Sequence, residues 1–524
     1  MIKTDIKLPL GYTGEDVKNS ILKVLPVPRE EIGETVIVKR SLNISDRSDI
    51  HYDATVGISF SAERERGLLK MRKKVSEMPD FALNLPKSQL SSRPIVVGSG
   101  PSGLFAALAL AEAGARPILF ERGLPVEERL LKVSCFEKFG ILDPECNVQF
   151  GEGGAGTYSD GKLKVGGMDK YKMKVLKEFV ECGAPEDIIY TVGAHVGTDK
   201  LAVIVKKIRE KIISLGGEVH FSTKLVSIKQ KDGKVVGGEV EKDGKREPFE
   251  AENIILATGH SAKDVFVMLK DIGVPLEARG FGIGLRIEHP REYINKLVYG
   301  ENAPKELGTA SYHLVTHLPN GRSAYSFCMC PGGEVVAAAS EEGGIVTNGM
   351  SEYARGADNS NAALLVSVTP EDFSSDDPLA GIDLQREIER RAYSLTNEYK
   401  APVTSLGAFL SDDGARLGDV KPSYRRGTEL FDPREYLPNF VTDSLKMAIS
   451  DFDAWMGGYL YPDAVLCGPE TRTTSPVRVL RGRDLETVGI AGLYPAGEGA
   501  GYAGGIVSSA RDGLLVAEKL LEKG

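Results

Sequence analysis

Ile95-Val96-Val97-Gly98-Ser99-Gly100-Pro101-Ser102-Gly103 leads into an alanine-rich stretch, Leu104 to Ala115, and then into Arg116-Pro117-Ile118-Leu119-Phe120-Glu121. This reads as a buried strand, a glycine turn, a helix and a second strand ending in an acid, the order that holds a dinucleotide. Gly98 permits the tight turn, Gly100 lets the backbone approach a pyrophosphate, and Gly103 lets the helix pack close on the strand. Ser99, Pro101 and Ser102 complete the turn, where the helix N-terminus offers free N–H groups and its positive dipole end. Glu121, with Arg122 beside it, is placed to accept hydrogen bonds from a ribose diol.

At 524 residues the chain exceeds one ordinary core and predicts two or three domains. Charged residues make up 27%, and no apolar run approaches the roughly 20 residues of a membrane span. Met1-Ile2-Lys3-Thr4-Asp5 has no continuous apolar core, so neither a secretory signal nor a membrane contact is expected and the cytoplasm is. The net charge of −9 argues against a nucleic-acid partner for the chain as a whole. Six cysteines contain no C-x-x-C pair, which predicts reduced thiols and no metal site. Cys328 and Cys330 share one face of a strand, open to a redox or metal role or to simple burial.

Residues 1–90 read as an N-terminal α+β module with its linker. Ile2, Ile6 and Leu8 start a strand, and Thr13 with Asp16 caps a helix carrying Val17, Ile21, Leu22 and Leu25. Ile50 to Phe60 alternates strictly, and a basic helix from about Ser61 to Val75 follows, which suggests a ferredoxin-like unit. Arg64, Arg66, Lys70, Arg72, Lys73 and Lys74 could touch phosphates; a solvated face interrupted by Glu63 and Glu65 is the alternative. Residues 76–92 read as the linker.

Residues 91–260 continue the nucleotide fold. A helix near Val126 to Phe139 leads into Gly151-Glu152-Gly153-Gly154-Ala155-Gly156-Thr157, with Gly161 and Lys162 beyond it. So many glycines favour neither helix nor strand. The loop is either mobile surface or a place where backbone, at Gly153, Gly154, Gly156 and Thr157, comes close to a flat or anionic group. Two helices, about Asp169–Cys182 and Thr198–Leu215, precede a hairpin turning at Asp232-Gly233 and a buried strand ending in Ala257-Thr258-Gly259. Small residues at a strand's carboxyl end let a ligand sit on the backbone.

With these motifs and Gly492-Leu493-Tyr494-Pro495-Ala496-Gly497-Glu498-Gly499-Ala500-Gly501-Tyr502-Ala503-Gly504-Gly505-Ile506, the chain resembles the glutathione reductase superfamily of FAD-binding flavoproteins. The resemblance covers about residues 93–260 and the C-terminus, and it implies FAD rather than NAD. It implies that Gly497 and Glu498, the latter where Asp is commoner, contact ribitol and pyrophosphate. Gly504, Gly505 and Ile506 then begin a helix aimed at the flavin, and Leu225 or a neighbour offers backbone to the adenine. A closer likeness, over nearly the whole chain, is to a bacterial group of uncharacterised FAD-dependent dehydrogenases. It rests on the Phe150–Thr157 loop, Gly282 to Pro290, Cys328-Met329-Cys330-Pro331-Gly332-Gly333 and Glu470 to Pro476.

The expected fold is α/β with α+β parts, in which residues 261–460 form a mainly antiparallel cap lobe interrupting a Rossmann-type FAD domain that returns at 461–524. Tyr312–His317, Ala324–Cys330 and Val335–Ser340 read as an antiparallel meander roofing the flavin. Candidate catalytic residues are Arg286, as a clamp for a carboxylate or phosphate or as half of an ion pair with Glu288 or another acid, and His289, as a proton carrier or a structural residue. Arg472 has the same two readings as Arg286, and Lys162 could stabilise reduced flavin. No second glycine fingerprint with strand, helix and acid is present. Electrons then pass by transient nicotinamide contact, through a protein donor, or from the substrate itself. These readings make an FAD-dependent oxidoreductase acting on a small, anionic organic molecule; an RNA-modifying flavoprotein and a non-catalytic flavin scaffold are the alternatives.

Overall fold

The computed structural model describes residues 1–70, 74–163, 166–396 and 398–523. Its centre is a five-stranded sheet in the order Leu493–Pro495, Ile254–Leu256, Ile95–Val97, Ile118–Phe120, Glu218–His220, with every pairing parallel. Because successive side chains alternate, Val96, Leu119, Ile255 and Tyr494 point to one face and Ile95, Val97, Phe120 and Leu256 to the other. Both faces are covered, which is why these strands are uniformly apolar. The first face packs on the helices Pro101–Glu112, Lys170–Glu181, Thr198–Ser214 and Ile506–Lys523. The second packs on the helix Lys263–Asp271 and a three-stranded antiparallel sheet, Thr223–Lys231, Lys234–Lys242 and Lys245–Glu250. Asp232 and Gly233 turn that hairpin with φ of 51° and 72°, the paired left-handed conformation that favours Asp-Gly.

Helix Pro101–Glu112 is buried along nearly its whole length, and its alanines let Ile506–Lys523 lie close against it. A Cβ at Gly513 would stand 2.0 Å from the Ser102 carbonyl oxygen, and one at Gly103 would stand 1.8 Å from that of Gly98. These two contacts fix the glycine turn between a strand and two helices.

The cap is a seven-stranded sheet in the order Val315–His317, Ser323–Cys330, Asn359–Val368, Phe281–Pro290, Val465–Glu470, Ala401–Ser405, Thr428–Leu430. All its pairings are antiparallel except the last. Phe281, Ile283, Leu285 and Ile287 face a core closed by helix Asn439–Trp455, which turns Gly282, Gly284, Arg286 and Glu288 to the other side. The expected meander is corrected at its third strand. Glu334–Ala337 pairs with Thr347–Met350 in a separate ribbon, while Ser323–Cys330 takes Asn359–Val368 as neighbour, a partner distant in sequence. The return to the nucleotide fold comes later than residue 461, since Val465–Glu470 is a cap strand held between Phe281–Pro290 and Ala401–Ser405.

The N-terminal module carries the strand order Thr35–Asn43, His51–Ile58, Ile2–Leu8, Ser76–Glu77, with the Thr13–Asp16 capping box formed. Two expectations change. Ser76–Glu77 is a fourth strand rather than linker, and the basic helix ends at Leu69. Arg64 pairs with Glu31, and Arg72 and Lys73 lie outside the described residues. The module joins the rest of the chain at Arg40, whose N–H and C=O bond to Tyr190 and Val192 and whose guanidinium reaches Asp187, Thr191 and the rings of Tyr52 and Tyr190. No helix among the described residues is long and apolar enough to cross a membrane.

Gly513→Ala tests the helix contact. Helix propensity alone favours alanine by about 1 kcal/mol, whereas overpacking costs about 1–3 kcal/mol, and 2.0 Å from a backbone oxygen leaves no room to relax. The expected result is a net loss of stability in denaturant titration; a gain would remove the close approach from the account.

Candidate functional site

A cavity with about 1730 Å³ of atom-free space, its open mouth included, runs from the carboxyl ends of the parallel strands to the cap sheet. Two helix N-termini open onto it. Helix Pro101–Glu112 begins at Gly100 with no side-chain cap, and the buried hydroxyl of Ser102 has no partner. Helix Ile506–Lys523 follows Gly504 and Gly505, where an added Cβ would meet nothing. Converging positive dipole ends, free N–H groups and an orphaned hydroxyl form an anion cradle that fits a dinucleotide pyrophosphate at one end and an anionic reduced ring at the other.

Glu121 lies at the carboxyl end of its strand, only 4% exposed. Its Oε2 accepts from Ser99 N–H at 2.8 Å and Ser99 Oγ at 2.7 Å, and its Oε1 from Gly123 N–H at 2.9 Å and Gly151 N–H at 3.1 Å. A carboxylate offers about four acceptor positions, so the expected ribose contact is corrected: Glu121 ties the glycine turn to the glycine loop. The loop is not mobile surface. Arg129, wholly buried on helix Val126–Phe139, donates to the carbonyls of Asn147, Val148, Glu152 and Gly154. A Cβ at Gly154 would lie 3.0 Å from Gly100 Cα, so loop and turn are in direct contact in the cavity wall.

Of the residues expected to touch a cofactor, Gly98, Gly100, Pro101, Ser102, Glu121 and Arg122 line the cavity at the turn. Gly154 and Gly156 line it next to the turn, and Leu225, Ala257, Thr258, Gly259, Glu498, Gly504, Gly505 and Ile506 line it as well. Five do not. Ser99 is consumed by Glu121, and Gly103 lies under the turn. Gly497 packs on Ser102, and Gly153 packs on Thr157, whose hydroxyl bonds to the Glu152 carbonyl. Burial pushes the Glu498 carboxyl up to about 7 against a hydrogen bond from the Gly505 backbone.

The catalytic candidates separate sharply. Arg286 is fully buried and does not line the cavity. It donates to both oxygens of Glu470 at 3.2 Å, to Asn361 Oδ1 at 2.6 and 3.0 Å and to the Cys328 carbonyl at 2.8 Å. Its fork is spent, so the substrate clamp is corrected to an ion pair, with Glu470 as the acid; Glu288 bonds Ser423 and Asn359 instead. His289 is corrected as well. It is buried in the cap core with Nε2 at 2.9 Å from the Tyr459 carbonyl, and burial lowers its pKa to about 4, leaving it neutral and remote from the cavity. Arg472 does line the cavity, yet it is paired with Glu389 at 2.7 Å and with Ser340. Lys162 also lines the cavity. Burial lowers its pKa below the usual lysine value, Asp160 works against that, and Asp160 itself is held by Arg355 at 2.5 Å. Among the described residues no carboxylate lies within 4.0 Å of its ammonium.

Two family models match the chain: "Pyridine nucleotide-disulphide oxidoreductase" over residues 92–283 and "FAD-dependent protein, C-terminal domain-like" over residues 280–473. A protein of Clostridium beijerinckii, described as an uncharacterized protein, is 46% identical over 99% of this chain and 98% of its own length. The chain belongs to that protein's family. It is an FAD-dependent oxidoreductase with FAD as cofactor, the two matches meeting where the nucleotide fold passes into the cap. Among solved structures, Escherichia coli quinol fumarate reductase FrdA is 13% identical with a TM-score of 0.37, over 82% of this chain and 69% of its own. The 3-ketosteroid-delta4-(5alpha)-dehydrogenase of Rhodococcus jostii is 14% identical with a TM-score of 0.35, over 84% and 99%.

Glu121→Gln distinguishes the two roles of this acid. An amide would turn an NH₂ toward buried N–H donors, and each donor left unpaired costs about 1–3 kcal/mol. The apoprotein is therefore expected to lose stability along with FAD; weakened FAD binding with an unchanged apoprotein melting temperature would restore the ribose contact.

Proposed function

We propose that the cavity holds FAD with its pyrophosphate at the Gly98–Gly103 turn, its adenine toward Leu225 and its ring system near Gly504, Gly505 and Ile506. A small anionic substrate would sit between the ring and the cap, beside Phe327, Asn348 and Thr473, which line the same cavity. The observation that carries the reading is the charge balance. Arg286 and Arg472 are neutralised by Glu470 and Glu389, whereas the Lys162 ammonium reaches the cavity with no ion pair among the described residues. The flavin supplies two-electron transfer when bound. Lys162 supplies a positive charge that favours an anionic partner, and the two helix N-termini add to it. The finer kinship with the glutathione reductase superfamily, and with the FAD-dependent dehydrogenase group, is supported by the order of the three flavin motifs and by the single parallel sheet among the described residues.

Gly100→Asp places a side chain and a negative charge where Gly100 now leaves only Gly154 Cα within 4 Å. It should abolish FAD retention while far-ultraviolet dichroism stays native; full FAD content would displace the pyrophosphate from this turn. Lys162→Met should keep FAD. In that variant the flavin midpoint potential should fall by roughly 30 mV, equivalent to about 1.4 kcal/mol for a two-electron couple. Acetate and succinate, used as probes of the flavin absorbance, should bind at least tenfold more weakly, as expected for losing a charged hydrogen bond worth about 1.5–3 kcal/mol. Unchanged potential and unchanged carboxylate binding together would remove Lys162 from the site. NADH and NADPH should reduce the flavin with weak saturation, since no second dinucleotide fold is present among the described residues; tight binding of either in a titration of oxidised enzyme would contradict this.

A further inference from the structure

Cys328 and Cys330 sit where the pairing of Ser323–Cys330 with Asn359–Val368 slips between Phe327 and Cys330. Cys328 has φ of 39°, the left-handed region that non-glycine residues seldom enter. Bulges of this kind re-aim side chains next to active sites. Here the bulge turns Cys328 into the cavity and leaves Cys330 wholly buried behind it. In an unbroken strand the two Cα atoms would stand roughly 6.6 Å apart, at the far end of the separation a disulfide spans. The bulge departs from that spacing, and the Cys330 thiol donates to the Cys328 carbonyl at 3.3 Å.

The surroundings differentiate the two sulfurs. Arg286 Nη2 bonds the Cys328 carbonyl at 2.8 Å and approaches Cys330 Sγ at 3.6 Å, and Lys162 acts on Cys328 from the cavity side. The neighbouring Cys330, with Arg286 and Lys162, brings Cys328 below the usual thiol value against its burial, whereas burial pushes Cys330 far up. A cavity-facing thiolate backed by a buried thiol is the arrangement of an attacking and a resolving sulfur.

We propose that Cys328 and Cys330 form a dithiol–disulfide couple that exchanges two electrons with the flavin in this cavity. The Cys328 thiolate and the Cys330 thiol join in one S–S bond, releasing one proton and two electrons. Oxidised flavin accepts both electrons and the proton to become the anionic reduced form, and the reverse step restores the thiols. The couple rests on FAD occupying the cavity, and it gives the enzyme a second two-electron store beside the flavin.

The test is an anaerobic dithionite titration of the FAD-bound protein after mild oxidation with diamide, read with the mass of the peptide carrying residues 328–330. The expected uptake is four electrons per flavin in the wild type and in Cys135→Ser, a half-buried cysteine away from the cavity. It is two in Cys328→Ser and in Cys330→Ala. The oxidised wild-type peptide should be two hydrogens lighter and resist alkylation until reduced. Two electrons in the wild type, with both thiols alkylated in the oxidised protein, would overturn the couple. If FAD proves to bind elsewhere, the peptide mass still reports the S–S bond while Cys328→Ser and wild type take up flavin electrons alike, which overturns only the exchange with the flavin.

Discussion

Four donors converge on the carboxylate of Glu121, and the site is organised around that convergence. Ser99 belongs to the turn after the first strand, Gly123 to the segment after the second, and Gly151 to the glycine loop, so one buried acid registers three chain segments against each other. The turn so fixed aims the N-terminus of helix Pro101–Glu112 at the cavity, while Gly103 and Gly513 let strand and helix pack without displacing it. Arg129 does the same for the loop from behind, by donating to carbonyls that a ligand would otherwise have to face. A charge that hydrogen-bonds only to backbone and hydroxyl donors is costly to bury unless every acceptor is satisfied, and here they are.

The cap depends on a different device, buried ion pairs. Arg286–Glu470 and Arg472–Glu389 place four charges within the cap and its border with the cavity. Removing one member of such a pair strands the other, a loss of about 3–5 kcal/mol, so these arginines are better retained as architecture than offered to a passing substrate. Arg286 also tethers the bulge through the Cys328 carbonyl. The positive charge left to the cavity comes from Lys162 and from helix ends, which need no counter-ion of their own.

The nucleotide half was legible because its signals are local. Strand, glycine turn, helix and acid lie within one short stretch, and the Asp232-Gly233 hairpin and the Thr13–Asp16 capping box are each set by a few adjacent residues. The cap was less so. Ser323–Cys330 keeps Val315–His317 on one edge but takes Asn359–Val368 on the other instead of the following strand Glu334–Ala337, a choice made by tertiary packing that no periodicity encodes. The same holds for side-chain partners: Arg286 and Glu470 are separated by 184 residues, and nothing in Leu285-Arg286-Ile287 distinguishes a paired arginine from a free one. Glu121 was placed correctly and given the wrong task, since the donors that saturate it include Gly151, which only the folded loop brings near. Arg129 carried no signal beyond a charged residue in a polar helix.

A crystal structure of the FAD-bound protein tests the central claim most directly. The account predicts pyrophosphate oxygens within hydrogen-bond distance of the backbone N–H of Ser102 and of the Ser102 hydroxyl, with Glu121 still bonded to Ser99, Gly123 and Gly151. A pyrophosphate lying away from the Gly98–Gly103 turn, or a Glu121 that leaves these donors to hold the ribose, would contradict it.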